Sequence, residues 1–301
     1  MTALRWAKIL RKLGHRVSIS TEYNDDPYDL LVALHARRSY SSILRFRRKH
    51  SDAAIFVALT GTDLYRDIQT SRRAQKSLDM ADKIIVLQPG GLRELPPAWR
   101  KKSRVIYQSV KGSWDKAKVS RSPNSSFELC VIGHLRPVKD PFRAALASRL
   151  LPASSQIRIR QIGAAMTKPM LEKARREMKI NRRYRWLGEL AHSRALRRLA
   201  SSDLCIVSSW MEGGANVLSE AIVASIPVLA SRIDGNAGIL GDDYPGLFPA
   251  GHTRQLAQLM TRAEIDPKFV ADLRRRIKKL ASLFDPAQEE RAWARLIDEI
   301  C

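Results

Sequence analysis

Residues 208–231 read SSWMEGGANVLSEAIVASIPVLAS. An apolar run, DLCIVSS (203–209), leads into this stretch. Two glycines turn the chain, a helical pattern occupies 215–225, and a second apolar run, IPVLAS (226–231), follows. Strand, tight turn, helix, strand is the unit from which parallel α/β sheets are built. Glu212 stands just before the turn, and Glu220 lies about one turn into the helix. Gly213 and Gly214 let a ligand approach the backbone with no Cβ in the way. The start of the helix offers free N–H groups and a positive dipole end, which suits a phosphate. Glu212 then sits at the rim, near whatever the phosphate carries, and Glu220 can accept hydrogen bonds from sugar hydroxyls. The same pattern also fits a tight strand-to-helix turn with solvent-facing glutamates.

Working outward, the alternation continues in both directions. Short apolar runs precede the stretch at 127–133 (FELCVIG), 157–163 (IRIRQIG) and 184–188 (YRWLG), and one follows it at 246–251 (GLFPAG). Helical patterns separate them at about 140–151, 168–179, 192–201 and 253–264. An earlier series reads HRVSIS (15–20), DLLVAL (29–34), AIFVAL (54–59), KIIVLQ (83–88) and RVIYQS (104–109), with helical patterns at 3–13 and between most of the runs. Between the two series, KGSWDKAKVSRSPNSS (111–126) loses its apolar period and reads as a linker. A chain of 301 residues suits two cores. The expected organisation is two doubly wound α/β domains. Two helices end the chain, with Pro286 breaking or kinking the path between them.

The net charge of +23 favours anionic partners: nucleic acid, an acidic membrane surface or phosphorylated small molecules. Residues 1–122 carry 25 basic and 11 acidic residues and the remainder 28 and 19, so the positive field is denser in the first part. The runs RFRRKH (45–50) and RRRIKK (274–279) read as solvated helix faces, since no nucleic-acid-binding motif stands beside them. No apolar run approaches the ~18 residues of a membrane span. The first residues read as an amphipathic helix, not a leader. Cys130 and Cys205 lie in apolar runs and, with Cys301, make an odd number, which suits free thiols in a cytoplasmic protein.

Ligands of open α/β sheets bind beyond the C-terminal ends of the strands. In the second series those loops are GHLRPVKD (133–140), IGAAMTK (162–168), GELAHS (188–193) and SSWMEGGAN (208–216); in the first they are HARRS (35–39), TGTDLYRD (60–67) and QPGGL (88–92). Arg136 and Lys139 follow a strand and precede a helix, where two cations can neutralise a departing diphosphate. Lys139 can equally pair with its neighbour Asp140.

EGGANVLSEAIVASIPVLAS resembles the Glu-x7-Glu signature of family 4 retaining glycosyltransferases, and GHLRPVK resembles their Gly-Arg-Leu-x3-Lys stretch. The resemblance implies a GT-B fold, two Rossmann-like domains facing a cleft: 1–122 for the acceptor, joined by a returning C-terminal helix at 287–301, and 123–286 for the nucleotide sugar. By matching position Glu212 would touch the transferred sugar, Glu220 the ribose and Lys139 the diphosphate, with Gly133, Gly213 and Gly214 in the donor loops. His134 stands where the family has Arg, so Arg136 is a candidate for that role; Ala215 replaces a motif glycine and Asn216 follows it. Enzymes of this kind open with a strand and a Gly-rich loop before the first helix. This sequence begins at the helix, which implies an N-terminal domain lacking its first strand.

Over nearly the whole chain, LRWAKILRKLGHRV, DLLVALHARRS, ALTGTDLYRDI, GHLRPVKDPFRAA, RYRWLGEL, MEGGANVLSEA and ASRIDGNAGILGDDYPG are similar to the selenosugar synthases of selenoneine biosynthesis. That resemblance implies transfer of N-acetylglucosamine or glucose from a UDP donor to selenophosphate, with a carbon–selenium bond formed. A small trianionic acceptor needs several donors and cations. His35, Arg37 and Arg38 past one strand, and Thr60, Thr62, Asp63 and Arg66 past the next, would supply them. His35 is the candidate catalytic group among them, though a packed histidine, a surface arginine pair and a helix-capping Asp63 fit the same positions. No Asp-x-Asp pair occurs in the chain, in keeping with an enzyme that needs neither metal nor cofactor. The other functions open to this sequence are a glycosyltransferase acting on a cell-envelope lipid or saccharide and, remotely, a basic nucleic-acid binder.

Overall fold

The computed structural model describes residues 2–112 and 126–300. Most of the linker expected at 111–126 lies outside the described residues. The chain forms two compact units: Met1–Ser109 with Glu212–Gly214 and Leu283–Cys301, and Val110–Met211 with Ala215–Ser282.

The first unit carries a parallel sheet of four strands in chain order: β1 (Leu30–Leu34), β2 (Ala54–Ala58), β3 (Lys83–Val86) and β4 (Ser103–Val105). Side chains alternate across a strand, so an all-apolar strand needs cover on both faces. Ile55 and Val57 pack on Ile43 and Phe46 of the helix Tyr40–Lys49 and on Ala74 and Leu78 of the helix Arg72–Met80. Phe56 and Ala58 face the other way. They meet Trp6, Ile9 and Leu10 of the helix Thr2–Lys12 and Trp293, Leu296 and Ile297 of the helix Pro286–Asp298. Trp6 and Trp293 stack edge to face with centroids 4.9 Å apart. Between them Glu289, only 2% exposed, accepts from Trp6 Nε1 and from the Ser109 backbone N–H, both at 2.8 Å. Pro286 opens its helix at the first position, where its missing N–H costs nothing, and Asp285 caps it through the Ala287 N–H.

One expected strand is absent. Residues 15–20 alternate polar and apolar but join neither sheet; Leu30–Leu34 pairs with β2 alone. Alternation prescribes two faces, whereas a strand also needs a backbone neighbour. Val17 packs on the core while Ile19 stays 45% exposed.

The second unit carries a six-stranded parallel sheet: β5 (Phe127–Ile132), β6 (Ile157–Ile162), β7 (Tyr184–Trp186), β8 (Leu204–Val207), β9 (Val228–Arg232) and β10 (Leu247–Pro249). Their order is β10-β9-β8-β5-β6-β7. The chain runs from β5 outward to β7, then returns to the other side of β5 with β8. The switch point between β5 and β8 is where such sheets open a crevice for ligands. Cys130 and Cys205 are free and buried in these two strands, and burial pushes the Cys130 thiol up to about 12, so neither is a nucleophile at neutral pH.

The basic runs are engaged locally. Arg45 pairs with Asp25 and Arg47 with Asp82, while Arg276 pairs with Asp272 and Asp243. No helix among the described residues is long and apolar enough to cross a membrane.

Candidate active site

In the second unit the loops after β5 and β8 both leave the switch point. Backbone and hydroxyl bonds join them: Trp210 N–H donates to Val138 O at 2.8 Å, and Ser208 Oγ donates to Asp140 O at 2.9 Å. Arg136 and Lys139 are carried by the first of these loops. Asp140 takes the left-handed conformation (φ +43°) and pairs with Arg143 at 2.6 Å. Gly133 follows β5, and His134 accepts from the Ala164 N–H through Nδ1 at 3.1 Å, which ties this loop to the one after β6. His134 therefore fixes backbone here. Ala215 precedes the helix Asn216–Val223, and no side chain caps that helix start. Glu220 Oε1 accepts from His192 Nε2 at 2.8 Å; His192 opens the helix His192–Ala200. Sequence reasoning did not single out His192, which lies in the GELAHS loop among ordinary helix-start residues.

Glu212, Gly213 and Gly214 pack with the first unit. Glu212 is 8% exposed. A Cβ on Gly213 would stand 1.7 Å from the Thr60 carbonyl oxygen, and one on Gly214 2.8 Å from Leu87 Cβ. Glycine is needed at 213 for this close approach of two backbones, a demand beyond the ligand access that the sequence suggested.

The loops after β1 and β2 meet in the first unit. His35 is 7% exposed and takes φ +84°, a conformation that costs a residue with a Cβ of order 1 kcal/mol or more. His35 Nε2 lies 3.2 Å from Thr62 Oγ1, and His35 Nδ1 accepts weakly from the Arg38 N–H at 3.4 Å. Asp63 is fully buried. Its Oδ1 accepts from Thr60 N–H and Thr60 Oγ, both at 2.8 Å, and its Oδ2 from Ala36 N–H at 3.1 Å. Asp63 thus pins both loops together. Residues Asp63–Asp67 form a π-helical turn, closed by the bond from Ile68 N–H to Asp63 O. Such turns concentrate at functional sites. Asp67, 4% exposed, accepts from Arg37 Nε at 2.8 Å and Arg66 Nε at 3.1 Å. Sequence reasoning named the two arginines and missed the carboxylate that holds them.

Burial holds the His35 imidazole below its ordinary value; Asp63 opposes this, Arg38 adds to it, and Asp67 and Arg37 follow with the same respective signs. His35 is accordingly a neutral group at pH 7, able to accept a proton. Among the described residues no three His, Cys, Asp or Glu side chains are grouped so as to hold a metal ion.

The structure resembles Anabaena Alr3699/HepE, solved with UDP and glucose (TM-score 0.72, 17% identity, 90% of this chain and 78% of that one). It resembles the sucrose-phosphate synthase of Thermosynechococcus elongatus to the same degree (TM-score 0.72, 18% identity, 91% and 74%). At such identities the likeness speaks for the fold alone, which is GT-B: two parallel-sheet α/β domains. No curated protein matches the sequence. The family described as glycosyl transferases group 1 matches residues 112–281, more than half of the chain. That stretch holds the loops after β5 and β8, with Lys139, Glu212 and Glu220, and the chain belongs to the group 1 glycosyl transferases.

Proposed function

We propose that this glycosyltransferase moves N-acetylglucosamine or glucose from a UDP-sugar to selenophosphate, as a selenosugar synthase. The observation that carries the acceptor side is the cluster after β1 and β2. There His35, Thr62 and three guanidinium groups, Arg37, Arg38 and Arg66, gather beside two buried carboxylates. These loops are short and polar, which suits a small oxyanion better than a lipid chain. UDP and glucose bound to HepE support a UDP-sugar donor.

In this reading Lys139 and Arg136 neutralise the diphosphate as it departs, and the uncapped helix start at Asn216 donates N–H groups to it. Glu220 takes the ribose hydroxyls, and Glu212 holds the transferred sugar. The selenium lone pair of selenophosphate attacks the anomeric carbon. The carbon–selenium bond forms as the bond to the UDP oxygen breaks, and that electron pair leaves with UDP. Selenium in this form is already anionic at neutral pH, so the protein supplies position and leaving-group stabilisation rather than a strong base. Water then cleaves the phosphorus–selenium bond, releasing phosphate and the selenol. The substrates place the reaction in the cytoplasm, without nucleic acid or membrane insertion.

The test is to supply UDP-N-acetylglucosamine or UDP-glucose with selenophosphate and to follow UDP release and product mass. A selenium-bearing sugar is the expected result. UDP released only to a lipid or saccharide acceptor would replace this reading with that of an envelope glycosyltransferase.

A further inference from the structure

We infer that Asp67 is a positioning residue that aims Arg37 and Arg66 at the anionic acceptor, an inference that rests on the acceptor reading above. The two oxygens of Asp67 divide their work: Oδ2 accepts from Arg37 Nε at 2.8 Å, and Oδ1 from Arg66 Nε at 3.1 Å. Each contact engages the Nε side of a guanidinium. The Nη groups of both arginines make no other hydrogen bond among the described residues, and the two side chains are 46% and 58% exposed. Asp67 itself is 5% exposed at its side chain. A buried carboxylate thus fixes two long cationic side chains from below and leaves their outward N–H groups for a ligand.

The chemistry suits a tetrahedral oxyanion. A guanidinium presents parallel N–H donors to phosphate-like oxygens. Held at Nε, it spends less rotamer freedom on binding than an untethered arginine does, since ordering a long, flexible side chain is itself costly. The π-helical turn makes the arrangement possible. It carries Asp63 and Asp67 on one buried side, the first holding the loops of Ala36 and of Thr60, the second holding the arginines. Arg37 comes from the loop after β1 and Arg66 from the turn itself, so one carboxylate sets the spacing of cations from two segments.

Steady-state kinetics with UDP-sugar and selenophosphate, together with UDP binding by calorimetry, test this. Asp67→Asn should raise the KM for selenophosphate about tenfold or more, leave kcat at saturating acceptor within about threefold, and leave the Kd for UDP unchanged. Asp67→Glu should recover part of the loss. The double variant Arg37→Ala/Arg66→Ala, which replaces half-exposed side chains, should show the same rise in KM. Adding Asp67→Asn to it should change KM no further, because the carboxylate would have nothing left to aim. A KM at the wild-type value in Asp67→Asn or in the double variant overturns the inference, as does an undiminished effect of Asp67→Asn in the double variant. A wild-type enzyme that binds UDP yet never turns over selenophosphate overturns the acceptor reading, and this inference with it.

Discussion

At the scale of single residues, His35 combines a strained backbone with a buried ring. At φ +84° a Cβ is unfavourable, and glycine removes that cost. His35→Gly should therefore be more stable than His35→Ala by about 1 kcal/mol in chemical denaturation, although both lose the imidazole. The ring's lowered pKa also has a sign. Unfolded chains take up the proton first, near the ordinary value of 6.5, so stability from the neutral ring is full above that pH. It is lost as the pH falls through the folded-state value. Denaturation curves of His35→Asn should be flatter across that window than those of the wild type. On the donor side, Glu212→Gln and Lys139→Ala should each lower turnover by about two orders of magnitude, the scale of one lost transition-state contact. Glu220→Ala should chiefly raise the KM for the UDP-sugar. Normal turnover in both of the first two variants would remove these residues from the reaction.

Among elements, the packing of the helices Thr2–Lys12 and Pro286–Asp298 turns on Glu289. Replacing it with Ala strands the Trp6 and Ser109 donors in a dry interior, at a cost of about 2–4 kcal/mol. Trp293, fully buried, should cost about 3–5 kcal/mol on truncation to Ala. Thermal melting checks both, and a change under 1 kcal/mol in either would mean that this packing is loose in solution. These helices also show what the sequence disclosed. Their apolar period was legible because it is local, as were the runs that became β1 to β10. Glu289 was not, because QEER reads as a solvated face and its partners Trp6 and Ser109, 283 and 180 positions away, make it interior. HRVSIS misled for the same reason: pairing is a property of a partner strand. In the candidate site, Asp63 and the arginines of TGTDLYRD and HARRS were visible by type and place. Asp67 was not, because its link to Arg37 and Arg66 depends on a widened turn that no periodicity announces.

For the whole molecule, the first unit is discontinuous in sequence. Phe284, Trp293, Leu296 and Ile297 come from Leu283–Cys301, yet they are buried with residues before Ser109. A chain ending at Ser282 should keep slow amide exchange in β5 to β10 and lose it in β1 to β4. Equal protection in both sheets would show that the last helix contributes nothing to the first unit's stability. The order of synthesis gives this discontinuity a cost in time. Once Ser109 leaves the ribosome, Trp293, Leu296 and Ile297, which share the cover of Phe56, Ala58 and Ile85 with Trp6, Ile9 and Leu10, are still about ten to forty seconds away at ordinary elongation rates. During that interval the second unit can complete itself, while one face of the first sheet stays only partly covered, by the helix Thr2–Lys12 alone. Nascent chains stalled after residue 282 should thus be cut by protease within 1–109, spared within 126–282, and held by chaperones that grasp exposed apolar strands.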